Sequence, residues 1–154
     1  MAWKSEQENG LMERIGYQFT DPLLLRRSLT RLAFSKEQGI PEASHMDAFA
    51  TLGDAAIELA VIEELVRGGE TEKGIITNKK TNRVNMLELR RLAESIHIER
   101  YVYWGKGEES QAIWTSGRVL AECIEAVIGA VYMDGGMAAV RRVLRHIRFL
   151  KGGS

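Results

Sequence analysis

Three observations predict an all-α fold for this sequence. Apolar residues recur at three- and four-residue spacings along most of its length. No segment alternates apolar and polar residues at the period of a half-buried strand. The punctuation is that of helices, with two prolines at segment starts and paired glycines at segment ends. A chain of 154 residues fits one domain, assigned to 1–150 with a short tail at 151–154. Hydrophobic residues make up 45% of it, enough to fill a core and to exclude a disordered chain.

The elements follow in order. Thr20-Asp21-Pro22-Leu23-Leu24-Leu25 reads as a helix start, with Thr20 or Asp21 as cap and proline in the first turn. Pro41 opens a long helix running to about Arg67, in which Met46, Phe49, Leu52, Ile57, Leu59, Ile62 and Leu65 keep the helical period. Gly68-Gly69 stops it. Gly74 to His97 reads as one or two helices, with Ile75, Ile76, Val84, Met86, Leu87, Leu89 and Leu92 as apolar positions. Trp104 to Ser110 reads as irregular. Arg118 to Met133 is a strongly apolar helix, and Gly135-Gly136 separates it from a basic helix around Ala138 to Phe149.

Composition narrows the function. Twenty-one basic residues balance twenty-one acidic ones, with an isoelectric point near 6.9. Proteins that bind nucleic acid chiefly by neutralising phosphates are usually basic, so neutrality argues against strong autonomous RNA binding. It leaves room for an acidic site offset by basic surface. The lone Cys123 excludes an internal disulfide framework and any multi-cysteine zinc site, which suits a reducing cytoplasm. Neither a membrane-length apolar run nor a signal-peptide core is read in the sequence, so no membrane association is expected.

The chemistry concentrates in carboxylates on apolar helices. Asp54 sits among Leu52, Ala55, Ala56 and Ile57, where a charge is costly unless something compensates it. Glu122 and Glu125 lie three residues apart in a second apolar helix, on one face at roughly 5–6 Å separation. Two like charges there repel, and a hard divalent cation such as magnesium relieves the repulsion. If the two helices pack together, Asp54, Glu122 and Glu125 can share one ion. Asp47 lies seven residues before Asp54, about 10 Å along the same face, which makes it a group supporting the ligands or one on the substrate side, rather than a ligand of that ion. The plain alternative is that these are solvated carboxylates on helix faces.

Three blocks resemble the ribonuclease III family. The stretch from Leu11 to Leu25, with Gly16-Tyr17-Gln18-Phe19-Thr20-Asp21-Pro22 followed by Ser28-Leu29-Thr30, is similar to the family's opening. Leu52-Gly53-Asp54-Ala55 resembles the end of its signature. Leu120 to Gly136 resembles its Leu-Ala-Asp-x-x-Glu-Ala-Leu-Ile-Gly-Ala-Ile-Tyr-Leu-Asp-Gly-Gly segment, and Gly105-Lys106-Gly107-Glu108-Glu109 matches a family loop. The resemblance implies an all-helical domain that dimerises and cleaves double-stranded RNA, each of two sites cutting one strand to leave a 5′-phosphate and a short 3′ overhang. By position it makes Asp54, Glu122 and Glu125 ligands of magnesium, with manganese a possible substitute, and Asp54, Glu125 and Asp47 the catalytic acidic set. The ion would orient the attacking water and stabilise developing charge.

The same comparison exposes departures. Glu122 replaces an aspartate, and Ala50 stands where the family carries a second signature glutamate. Compact Mini-III members also tend to have alanine there. Asp47 replaces the first signature glutamate, Lys73 precedes Gly74 where a further glutamate is usual, and Thr51 replaces the phenylalanine that packs across the dimer. No span of the sequence is left for a separate double-stranded RNA-binding domain.

Lys79, Lys80 and Arg83 form a basic patch open to two readings, RNA phosphate contact or a solvated face. Lys106 and Arg118 flank the acidic segment in sequence as further candidates for RNA contact. Arg141, Arg142, Arg145 and Arg148 read first as the polar side of an amphipathic helix and second as a contact to RNA or a partner; Trp104 and Trp114 read first as buried rings and second as stacking platforms for RNA, and Cys123 as core. His45, His97 and His146 lack mutual ligand spacing. The leading expectation is therefore a magnesium-dependent endoribonuclease acting as a homodimer. Its rivals are a catalytically silent RNA-binding or RNA-processing partner subunit and a purely helical interaction protein.

Overall fold

The structure is a computed structural model that describes residues 3–41 and 44–151. Its helices are α1 (Ser5–Ile15), α2 (Pro22–Ser28), α3 (Leu32–Gln38), α4 (Asp47–Arg67), α5 (Lys73–Arg83), α6 (Met86–Ser95), α7 (Lys106–Ser110) and α8 (Gly117–His146). Single 3₁₀ turns cover Ile98–Arg100 and Ile113–Thr115. The all-α expectation holds; a lone parallel bridge between Thr30 and Tyr103 is the β pairing among the described residues.

Local chemistry sets the ends. Asp21 accepts from the Leu23 amide at 3.1 Å and Pro22 fills the first position of α2. Asn85 caps α6 by accepting from the Glu88 amide at 3.0 Å. The long helix starts at Asp47 rather than Pro41. Before it, the Ser44 amide donates to the Pro41 carbonyl in a turn, and the Met46 amide donates to the Thr30 carbonyl at 3.0 Å. Glu42 and Ala43, part of the expected helix start, lie outside the described residues. The stretch read as irregular contains α7, because Glu108 turns back to accept from the Gly105 amide at 3.1 Å. The expected final helix stops at His146, where the Phe149 amide donates to the Leu144 carbonyl and Arg148 takes a left-handed φ of 66°. Of the expected tail, Lys151 is described and 152–154 are not.

Helix α8 is the axis of the fold. From Leu120 to Val131 it is buried on nearly every side, with α4, α6 and α2 packed around it. That enclosure explains why its composition is apolar enough for a membrane span although more than half of the apolar stretch is interior. Gly136 breaks the helix with φ 69° and ψ −169°, a conformation open to glycine and strained for other residues.

The closest approach is between α4 and α8. A Cβ on Gly53 would lie 1.7 Å from the Glu125 carbonyl oxygen, and one on Gly129 would lie 2.0 Å from that of Phe49. Glycine costs a helix about 0.5–1 kcal/mol relative to alanine. Here it admits backbone-to-backbone packing that no other residue permits.

The chain start is clasped to the break in α8. Tyr17 donates its hydroxyl to Asp134 at 2.6 Å, and the Thr20 and Asp21 amides donate to the same carboxylate at 2.8 and 2.9 Å. Burial pushes the Asp134 carboxyl up, but these three donors outweigh it and leave its pKa below the ordinary value. Buried Glu8 accepts from Arg26 Nε at 2.9 Å and from the Tyr103 hydroxyl at 2.7 Å, tying α1 to α2 and to the segment before α7.

One expectation fails in α5. Ile75 and Ile76 are not core; no residue of α5 is buried, and Ile75 is exposed. Ion pairs to or near α4 hold this helix: Lys79 with Glu70, Lys80 with Glu58 at 3.7 Å, and Arg83 with Glu64 at 2.8 Å.

Candidate active site

The glycine contact sets the site. Gly53 precedes Asp54, and the carbonyl it approaches belongs to Glu125, so the tightest point between α4 and α8 presents both carboxyls to one cavity. That cavity, about 690 Å³, is walled by α4, α8 and the first turn of α6. Asp47, Asp54, Glu122 and Glu125 all line it, so the structure gathers the four acidic residues singled out in the sequence. Ala50 and Thr51 line it too.

The Asp54 and Glu125 carboxyls stand close enough to interact, and Glu125 is the one whose protonation is shifted. Burial, the hydrogen bond to Asp54, and the negative charges of Asp54, Glu122 and Glu58 together push its pKa up to about 8. Without a cation, the pair resolves its repulsion by keeping a proton. The proton-holding pair and Glu122 together offer three hard oxygen donors, which fit magnesium or manganese by donor chemistry. The ligand set is not preassembled: among the described residues, no three His, Cys, Asp or Glu side chains converge on one point at ligating distance. Glu122 Oε2 lies 3.8 Å from Arg31 Nη1.

The remaining candidates separate. Asp47 begins α4, is half exposed, and has its Oδ1 3.5 Å from His45 Nδ1. Arg118, a minor candidate by sequence, is on the cavity wall. Lys79, Lys80 and Arg83 do not line the cavity and are engaged by the glutamates named above. Lys106 also stands outside it, with its amide donating to Glu37 at 2.8 Å. Lys73 starts α5, exposed and away from the cavity lining. Trp104 and Trp114 pack on each other at 5.2 Å, partly buried. Cys123 is fully buried, and burial pushes its thiol up to about 12. Sequence reasoning missed Arg31, whose role depends on which helices approach it; an arginine just after Leu29-Thr30 carries no local signal.

Fold and site together define an all-helical domain with an acidic cleft between two helices in backbone contact. Comparison with known proteins agrees. The Ribonuclease-III-like family model matches residues 21–151. Ribonuclease 3 of Oleidesulfovibrio alaskensis is 36% identical over 138 residues, 89% of this chain and 60% of that protein. Ribonuclease 3 of Pseudothermotoga lettingae is 35% identical over 136 residues, 86% of this chain and 57% of that protein. The nuclease domain of ribonuclease III from Campylobacter jejuni superposes with a TM-score of 0.79 at 25% identity, covering 90% of this chain and 94% of that domain. In that domain, a region involved in dimer formation shows structural flexibility. The chain belongs to the ribonuclease-III-like family. It spans about 60% of the length of the curated relatives it matches.

Proposed function

We propose that this domain is a magnesium-dependent endoribonuclease that cleaves double-stranded RNA as a homodimer. The observation that carries the reading is the Asp54–Glu125 carboxyl pair, held together where α4 and α8 touch and opening into a cavity also lined by Glu122 and Asp47. Membership in the ribonuclease-III-like family supports it.

Asp54 and Glu125 would hold the cation, with Glu122 as the third oxygen donor at the edge. Bound there, magnesium or manganese supplies Lewis-acid activation for phosphodiester hydrolysis and offsets the charge that builds on the phosphate. The chain's own groups do the rest. To ligate the cation, Glu125 would have to be ionised. Asp47, at the open end, faces the substrate side and orients water there. Arg118 offers a positive charge to a phosphate entering between α4 and α8. Lys79, Lys80, Arg83 and Lys106 contribute to RNA contact only outside the cavity, and the first three must then be shared with Glu70, Glu58 and Glu64. The neutral overall charge fits modest affinity for RNA.

The test is cleavage of a long RNA duplex with and without magnesium. The wild type should cut only with the ion, and Asp54→Asn or Glu125→Gln should lower the rate at least ~10³-fold, the scale at which a central electrostatic group acts. Intact duplex at high enzyme and magnesium concentrations rejects the reading. Retention of duplex without cutting would support a silent RNA-binding subunit, which Ala50 and Lys73 favour by removing two family carboxylates.

A further inference from the structure

Arg31 lies immediately before α3, and its side chain is only 14% exposed. Its Nη2 and Nε donate to Glu108 of α7 at 2.9 and 3.1 Å. Glu108 is fixed in turn by accepting from the Gly105 amide. The guanidinium also lies over the Trp104 ring, 5.6 Å from its centroid. Two sides of the planar group are thus occupied by a rigid setting, and Nη1 is the end that reaches Glu122 Oε2, 3.8 Å away. Glu122 lines the acidic cavity, and Glu108 does not.

We propose that Arg31, pinned by Glu108, is a positioning residue that restrains Glu122 at the edge of the Asp54–Glu125 pair, so that less side-chain freedom is lost when Glu122 becomes the third donor of the cation site. The proposal rests on reading that pair as a cation site. A glutamate has one more rotatable bond than an aspartate and more freedom to lose when it ligates. The ion pair with Arg31, longer than a hydrogen bond, restrains one carboxylate oxygen and leaves the other available. Groups that orient a ligand in this way typically change metal affinity 10–100-fold.

The sign of the effect separates positioning from simple charge. Arg31 is a cation beside a cation site, so deleting it for charge alone would tighten binding of a divalent ion. Loss of positioning weakens it. The experiment measures Mn²⁺ binding to the full chain by calorimetry, with no RNA present. Arg31→Met combined with Glu108→Gln removes the pin and its counter-charge together, so neither is left buried and unpaired. This double variant should bind Mn²⁺ about tenfold more weakly. In a Glu122→Gln background the same pair of substitutions should cause no further loss. If the double variant does not melt cooperatively, Arg31→Lys keeps the charge without the planar fork and should weaken binding about threefold, a smaller loss within the same order. Unchanged or tighter binding, or an equal loss without Glu122, overturns the proposal. A wild type that binds no Mn²⁺ brings down the cation-site reading with it, whereas a binding wild type matched by its variants removes only the role of Arg31.

Discussion

Glu125 carries a titration that links site and stability. In the native protein without a cation it keeps its proton up to about pH 8, against an ordinary value of 4.5. The unfolded chain has already released that proton above pH 4.5, so the native state binds more protons throughout the interval. Stability therefore falls as pH rises from about 5 to 8, and the contribution is fully present only below the unfolded value. The melting temperature of the wild type relative to Glu125→Gln should decline over this range, and a flat difference would contradict the assignment. A cation entering the pair must expel the proton. Because Glu125 still holds its proton at pH 7, calorimetry in buffers of different ionisation enthalpy should show net proton release on magnesium binding. Release near zero would mean that Glu125 is not displaced by the ion. Asp54, Glu122 and Glu125 were legible in the sequence because charge inside an apolar helical run is anomalous on its face. Arg31 was not, since an arginine near a helix start is ordinary until tertiary packing buries it. The engagement of Lys79, Lys80 and Arg83 by glutamates was equally hidden, because Glu58 and Glu64 belong to a neighbouring helix.

At the scale of elements, the site depends on how closely α4 and α8 approach. Gly53→Ala would put a methyl 1.7 Å from the Glu125 carbonyl oxygen, a separation that backbone must move to relieve. Overpacking of this kind costs about 3 kcal/mol or more, close to a 10 °C fall in melting temperature for a domain of this size. A shift near 1 Å at the carboxyl pair should also lower cleavage ~10²-fold even when the protein remains folded. Gly74→Ala is the control, because a Cβ there meets nothing within 4 Å; it should leave cleavage unchanged and stability equal or slightly higher. Equal melting temperatures for Gly53→Ala and wild type would refute the contact. The helices themselves were readable from periodicity, caps and paired glycines. Their limits were less so. Pro41 imitates a helix start, but Met46 is tied to Thr30 by a backbone bond that delays α4 until Asp47. The glycine-rich segment before Ser110 imitates a loop, and α7 forms because Glu108 closes it from within. Ile75 and Ile76 keep a helical spacing that normally signals core, yet α5 rests on α4 through ion pairs.

The whole molecule leaves apolar surface uncovered on one run of helices. Leu59 and Val66 of α4, Ile75 of α5, and Met86 and Leu87 of α6 are between 38% and 55% exposed. Leu23 of α2 and Tyr132 and Met133 of α8 are exposed as well, and apolar side chains of this size become a docking surface where they are contiguous. A second copy of the chain is the partner proposed here, and Met86 ties this surface to the acidic cavity, whose wall it forms. In this chain Thr51 occupies the position where the family resemblance places an interlocking phenylalanine, so the apolar contribution must come from elsewhere. The α5 and α6 side chains are the available source. Leu87→Glu together with Ile75→Glu places charges where desolvation would be required, at a cost of several kcal/mol to association. Both side chains lie outside the cavity lining, so Mn²⁺ binding should survive. Sedimentation velocity should show a wild-type dimer and a monomeric double variant. With one site per molecule, the monomer should lose coordinated cutting of both strands of a duplex and retain at most slow single-strand nicking. A double variant that sediments as a dimer would move the interface to another face, and a wild type that stays monomeric at ~100 μM, far above the affinity of a standard-size interface, would remove the dimer from the proposed function.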